Sequence, residues 1–157
     1  MKTKAIAFAL ALSCLAAAPS FASGPDCMMG TWKLNAKKSS IAKGEGRNYT
    51  VVYDQNLFGK VKVTVDGVDA KGKAAHNEWS GRFDGKDYAV TGDPQSDMRA
   101  YTRVNDHNLS MTGKKAGKVV WTGRVSVSAD GKSRTVTVNG TNAKGKKFKS
   151  TSVYDKA

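Results

Sequence analysis

Residues 63–73 read VTVDGVDAKGK and residues 136–146 read VTVNGTNAKGK; eight of the eleven positions are identical and two more exchange Asp for Asn. Each copy opens on Val-Thr-Val, which places two β-branched apolar side chains on one face of an extended strand with a polar one opposite. Each closes on Lys-Gly-Lys, where glycine supplies the positive φ that a tight hairpin turn demands. The repeated unit is therefore a strand with its hairpin tip. Its recurrence predicts an antiparallel meander carrying a duplicated hairpin, with convergence on one favourable turn chemistry as the alternative.

The same alternation extends to both sides of the repeat. Tyr49, Val51 and Tyr53 share a phase, as do Val61, Val63 and Val65; Trp79, Gly81 and Phe83; Leu109 and Met111; the odd positions from Val119 to Val127, including Trp121; and Val136 and Val138. A last strand is expected from about Phe148 to Tyr154. Asp84-Gly85, Ala116-Gly117, Asp130-Gly131 and Lys144-Gly145 stand between these runs as turn signals. Short links force next-neighbour antiparallel pairing, so the reading is all-β, an up-and-down meander of about eight to ten strands. Closure into a barrel removes the exposed sheet edges; a two-sheet β-sandwich is the alternative. No run has a helical period.

Ahead of the strands, Lys2 and Lys4 precede an apolar run from Ala5 to Ala18, and Ser20 and Ala22 supply small side chains for cleavage. That is the pattern of an export leader, residues 1–22, removed near Ala22; the run is shorter than the ~20 residues of a membrane span. Lipoprotein processing at Cys14 is a weaker alternative, because Ala11 stands where such signals carry Leu. The expected layout is a mobile segment at 23–29 and one barrel domain at 30–157, in a bacterial protein that is periplasmic or secreted. Loss of Cys14 leaves Cys27 as the only thiol. An internal disulfide is then excluded, and the expectation is a monomer, with a dimer linked through Cys27 as the alternative.

The chain has 26 Lys and Arg against 13 Asp and Glu, a net charge of +13, which becomes +11 without Lys2 and Lys4. Such a field draws polyanions and anionic surfaces. The cations gather in turns, notably Lys144, Lys146 and Lys147. Nucleic acid is not an expected partner, since basic groups and aromatics are not interleaved on one face.

Gly30-Thr31-Trp32-Lys33-Leu34 places a Gly-x-Trp at the opening of the first strand. In this the chain resembles the lipocalin, or calycin, group, and the resemblance implies that Trp32 packs across the closed end of a barrel. GTWKLN (30–35), VTVDGVDAKGK, FDGKDYAVTGDP (83–94) and ADGKSRTVTVNGT (129–141) further resemble small secreted bacterial proteins described only as lipocalin-like. The resemblance implies a fold and an extracytoplasmic home, and no activity.

Catalytic and metal-binding patterns are weak. His76 and Glu78 share a strand face but lack further ligands by spacing, and His107 lies in a turn by composition. Cys27-Met28-Met29 offers soft donors that one ion could use only with an irregular backbone. Asp93-Pro94-Gln95-Ser96-Asp97 reads as a polar turn before it reads as a calcium loop. No cofactor, no metal and no enzyme activity is expected. The reading is a binding protein that holds a small apolar or amphipathic ligand inside the barrel, with Trp79, Tyr101 and Trp121 lining the site. If Arg99 and Arg103 also face inward, the ligand is anionic. The alternative is a solid barrel whose cationic tips at Lys144, Lys146 and Lys147 bind polyanions, anionic lipid or an acidic protein.

Overall fold

The computed structural model describes residues 26–142 and 144–157; the expected leader, with Cys14 and Ala22, lies outside them. Among the described residues ten antiparallel strands follow one another: β1 (Gly30–Leu34), β2 (Arg47–Gln55), β3 (Val61–Val68), β4 (Ala74–Gly81), β5 (Tyr88–Thr91), β6 (Met98–Asn105), β7 (Asn108–Lys115), β8 (Lys118–Val127), β9 (Ser133–Thr141) and β10 (Lys147–Lys156). Each pairs with its neighbours in sequence, and β1 pairs on its other edge with β10, so the meander closes into a barrel. A single 3-10 turn, Ala36–Lys38, interrupts the β1–β2 connection.

Three of the turns share one five-residue form. In Asn56–Lys60, Asp69–Lys73 and Asn142–Lys146 the first residue exchanges backbone hydrogen bonds with the fourth and fifth. Its side-chain oxygen accepts from the third and fifth amides. The fourth residue is glycine with φ of +74°, +78° and +74° respectively, which explains Gly at that place. The two copies of the sequence repeat supply β3 and β9 with their turns, so the repeated residues do the same structural task twice.

The valine phases point inward as expected for most of their length, and two β-bulges reset them. Tyr49 has no partner between the Asn48 and Thr50 pairs, and it is 47% exposed although its phase predicted burial. On β8, Trp121 pairs with Gly113 and Val119 with Lys114, leaving Val120 over; Val119 turns outward at 56% exposed and Val120 packs against the core. An inserted residue flips every side chain beyond it to the opposite face.

The interior is filled by side chains. Trp79, Phe83, Tyr101, Tyr53 and Tyr88 form one aromatic cluster, with Trp79 and Tyr101 ring centroids 4.6 Å apart. Room for the indoles comes from neighbouring glycines, Gly113 on the strand facing Trp121 and Gly81 two residues along β4 from Trp79. A Cβ on Gly113 would lie 2.1 Å from the Trp121 ring, and one on Gly81 2.5 Å from Trp79 and Tyr88.

Gly113→Ala is therefore expected to destabilise the barrel by roughly 1–3 kcal/mol through overpacking. Urea unfolding of Gly113→Ala in the native and Trp121→Phe backgrounds checks this. The cost should shrink when the indole is trimmed, and an equal cost in both would remove the ring as its cause.

Candidate functional site

Successive hairpins of a meander point to alternate ends of the barrel. One end, the floor, gathers Asp26–Met29 and the β2–β3, β4–β5, β6–β7 and β8–β9 turns; the other, the rim, gathers the β1–β2 connection and the β3–β4, β5–β6, β7–β8 and β9–β10 turns.

At the floor, Trp32 is wholly buried and its Nε1 donates to the Met28 carbonyl at 3.0 Å. The Arg134 guanidinium stands over the rings of Trp32, Tyr53 and Tyr154 at 5.1, 4.9 and 4.7 Å, so cation–π attraction takes the place of a carboxylate partner. Trp32 thus packs across a closed end, and the barrel is compatible with a lipocalin-like fold. Residues 26–29, from the segment expected to be mobile, lie against this end. Met28 is 1% exposed, and Asp26 forms an ion pair with Arg103. Cys27 Sγ donates to the Asp106 carbonyl at 2.9 Å and stands 3.7 Å from His107 Nδ1. Burial, and then the Asp26 charge, push its thiol pKa up, which keeps it in the unreactive protonated form. Met28 points into the core while Cys27 points to the β6–β7 turn, so the three sulfur donors do not converge.

The predicted interior residues can now be placed. Arg99, Tyr101 and Arg103 form the inward face of β6; Arg99 and Tyr101 are buried and Arg103 is half-buried. Arg99 donates to Asp93 at 2.9 Å and lies 5.4 Å over the Trp121 ring, and its carbonyl accepts from Trp79 Nε1 at 2.9 Å. Trp79, Tyr101, Trp121, Arg99 and Arg103 therefore belong to one connected interior, reached from the floor through Arg103 and from the rim through Arg99. Burial, and next the neighbouring Tyr101, push the Tyr53 hydroxyl well above its ordinary pKa, so this interior holds neutral phenols beside its arginines. Asp93 accepts from Arg99, Ser96 and the Gln95 amide, and Asp97 accepts from the Ala116 amide, so both carboxylates of the loop weighed for calcium are tied to partners within the protein.

Two depressions lie at the rim. One, of about 540 Å3, is bordered by residues of the β9–β10 hairpin including Phe148, Lys147 and Lys149; the other, of about 330 Å3, lies under the β1–β2 connection. That connection is strapped across the mouth. The Ala42 amide donates to Ser150 at 3.0 Å, and Glu45 accepts from Gln95 at 3.1 Å and Asn142 at 3.3 Å.

The ends differ most in charge. Taking each connection with the strand residues that border it, the rim carries eleven cations: Lys37, Lys38, Lys43, Arg47, Lys71, Lys73, Lys115, Lys118, Lys144, Lys146 and Lys147. Only Glu45, Asp69, Asp93 and Asp97 oppose them. At the floor, Lys60, Arg82, Lys132 and Lys156 stand against Asp26, Asp106 and Asp130; the rest of the β4–β5 link runs back along β6, where Asp84 bridges to Thr102 and Asp87 pairs with Lys114. The sequence singled out Lys144, Lys146 and Lys147; their grouping with the other turn lysines follows from the parity of the strands.

Elsewhere, the outer face of β3 and β4 carries an exposed polar ladder. Lys62 bonds Glu78 at 2.7 Å, and His76 bonds Asp66 at 2.7 Å with Glu78 3.6 Å away. Among the described residues no three of His, Cys, Asp and Glu are grouped to hold a metal ion, and no helix is long and apolar enough to cross a membrane. No known protein family and no curated protein matches this chain.

The hydrogen bond that His76 Nδ1 donates to Asp66, ahead of the charges of Asp66 and Glu78, raises the His76 pKa above the ordinary histidine value. The stabilisation this pair contributes is full at pH below the ordinary histidine value and is lost as pH rises through the raised one. An NMR titration should give His76 a midpoint above that of ordinary histidine. Asp66→Asn should move it back down; no change would remove Asp66 as the cause.

Proposed function

We propose that this is an extracytoplasmic binding protein, periplasmic or secreted, that uses its cationic rim to hold polyanions. The observation that carries the reading is the separation of charge, eleven cations against four acids at the rim and four against three at the floor. Rim lysines sit on tight turns whose backbones are fixed by Asx hydrogen bonds, so the cations are held on a rigid frame although each side chain stays hydrated. A frame of this kind lowers the ordering cost of binding a chain of phosphates or carboxylates. Within the bacterial envelope, phosphorylated glycans and acidic proteins have that chemistry. The lipocalin-like resemblance agrees with the location and the barrel, and the filled interior moves the weight of the argument from the lumen to the surface.

A second reading keeps the lumen as a ligand site. It is favoured by buried nitrogens without partners, Nε of Arg99 and Nε and Nη1 of Arg134, which the head group of an anionic amphiphile would satisfy. Trp79, Tyr101, Trp121, Arg99 and Arg103 would then surround the ligand, and the strap over the rim would have to open to admit it.

Two measurements separate the readings. Lys144→Glu, Lys146→Glu and Lys147→Glu together are expected to weaken binding to inorganic polyphosphate at least about tenfold at physiological salt, with a shallower salt dependence. Lys60→Glu, Arg82→Glu and Lys132→Glu, an equal change of net charge at the floor, should weaken it far less; equal losses would make net charge alone responsible. Native mass spectrometry of the exported protein should show the bare polypeptide mass if the rim is the site. A copurifying anionic amphiphile, lost in Trp79→Ala or Trp121→Ala protein that still folds, would establish the second reading.

A further inference from the structure

Four acids stand among the rim cations, and local structure accounts for three of them. Asp69 accepts from the Lys71 and Lys73 amides of its own turn, Asp93 is paired with Arg99, and Asp97 accepts from the Ala116 amide. Glu45, in the strap, forms no ion pair among the described residues despite the lysines around it. Its carboxylate oxygens accept instead from two neutral amides, Gln95 Nε2 in the β5–β6 turn at 3.1 Å and Asn142 Nδ2 in the β9–β10 turn at 3.3 Å. The β7–β8 hairpin separates those two turns around the ring, so one carboxylate ties three connections together across the mouth. The sequence repeat supplies a control. At Asp69 and at Asn142 one side-chain oxygen accepts from the third and fifth amides of the turn, which leaves the other terminal atom to face away from it. In Asp69 that atom is an acceptor; in Asn142 it is the NH2 that meets Glu45. The Asn142 amide has only this orientation, because its nitrogen could not accept from Lys144 and Lys146. Asp serves the turn equally well, so the donor is what Asn adds at this position. The strap itself has two halves. Asn35 and Ser40 bond to the β10 backbone at Val153 and Thr151, whereas beyond Ser40 the strap is attached through side chains, Ser150 Oγ to the Ala42 amide and the two amides to Glu45.

We propose that Gln95 and Asn142 form an oxyanion site at the rim which Glu45 fills from within, and that a phosphate of a bound polyanion takes its place, freeing residues 41–46 and opening the mouth of the barrel. The inference rests on the polyanion reading and adds to it a subsite and a consequence. A carboxylate oxygen and a phosphate oxygen ask the same of an amide donor, so the exchange is even at Gln95 and Asn142. It gains at the lysines, because each phosphate of a chain brings its neighbours within reach of Lys144, Lys146 and Lys147, whereas Glu45 brings a single charge. Two hydrogen bonds to neutral donors at a hydrated rim hold the latch weakly, which suits a part that moves. The Ser150 hydroxyl, buried and bonded to Ala42 in the closed form, is exposed to solvent when the strap lifts. While Glu45 occupies the site, only the unlatched fraction of molecules offers both amides to a ligand, and the apparent affinity is reduced by that fraction.

Asn142→Asp keeps the turn, as Asp69 shows, and sets a carboxylate against Glu45. Without ligand it should speed amide hydrogen exchange at Ala42 and Glu45 at least about tenfold and leave Asn35 and Ser40, which bond to β10, unchanged. Saturating inorganic polyphosphate should produce the same pattern in the parent protein. Glu45→Gln should tighten polyphosphate binding at least about threefold. Asp69→Asn is an equal change of charge at the rim, in a turn that Asn56 and Asn142 show to accept Asn, and should tighten it far less. Exchange in Asn142→Asp that matches the parent would overturn the latch. Rim-dependent polyphosphate binding that leaves the exchange of Ala42 and Glu45 unaltered, or equal tightening by the two charge changes, would overturn the displacement and keep the rim reading. Polyphosphate binding indifferent to Lys144→Glu, Lys146→Glu and Lys147→Glu would overturn the rim reading and the displacement together.

Discussion

β1 is five residues long and is paired on both edges, to Tyr154–Lys156 on one side and to Thr50–Tyr53 on the other, and the barrel exists because of that double pairing. Without it the meander would be an open sheet with two free edges and a half-exposed apolar face. Trp32 sits in the middle of the strand, opposite Val51 and Lys156, and projects into the floor, where Met28, Arg134 and Tyr154 converge. Closure and the packing of the floor therefore depend on the same few residues. Arg134 is the costly member of this group, a buried cation with no acid beside it, stabilised by the faces of three rings.

A closed sheet of ten strands encloses more volume than aliphatic side chains alone fill economically, and this chain fills it with indoles and phenols set opposite glycines. Trp121 lies where Gly113 and Gly140 leave space on either side, and Trp79 lies beside Gly81. Glycine weakens strands, so its use here is a trade of local strand propensity for aromatic packing. The result joins floor to rim through Tyr53, Tyr101, Trp79 and Arg99, which makes the interior one packed unit.

Strand order and turns were legible because period-two alternation and Gly-containing turns are local signals. The breaks in that alternation were not. Tyr49 and Val119 carry apolar side chains in the expected phase, and only the unpaired residue next to or at each of them turns it outward. The inward face of β6 was equally hidden. Arg99, Tyr101 and Arg103 alternate with Met98, Ala100, Thr102 and Val104, and polarity alone favours the wrong set for the interior; the decision comes from acids off the strand, Asp93 in the preceding loop for Arg99 and Asp26, distant in sequence, for Arg103. Of the candidate site, the lysine-bearing tips were visible, whereas their common end depends on an exact strand count.

Because the rim cations have no counterweight at the floor, the centre of charge of the molecule is displaced from its centre of mass along the barrel axis. A field gradient near an anionic surface then exerts a torque as well as a pull. Approach becomes an alignment: the protein is turned before it touches, and its first collisions are made by the cationic end. The gain is kinetic, a larger share of productive encounters, and it would persist even where the equilibrium affinity is modest.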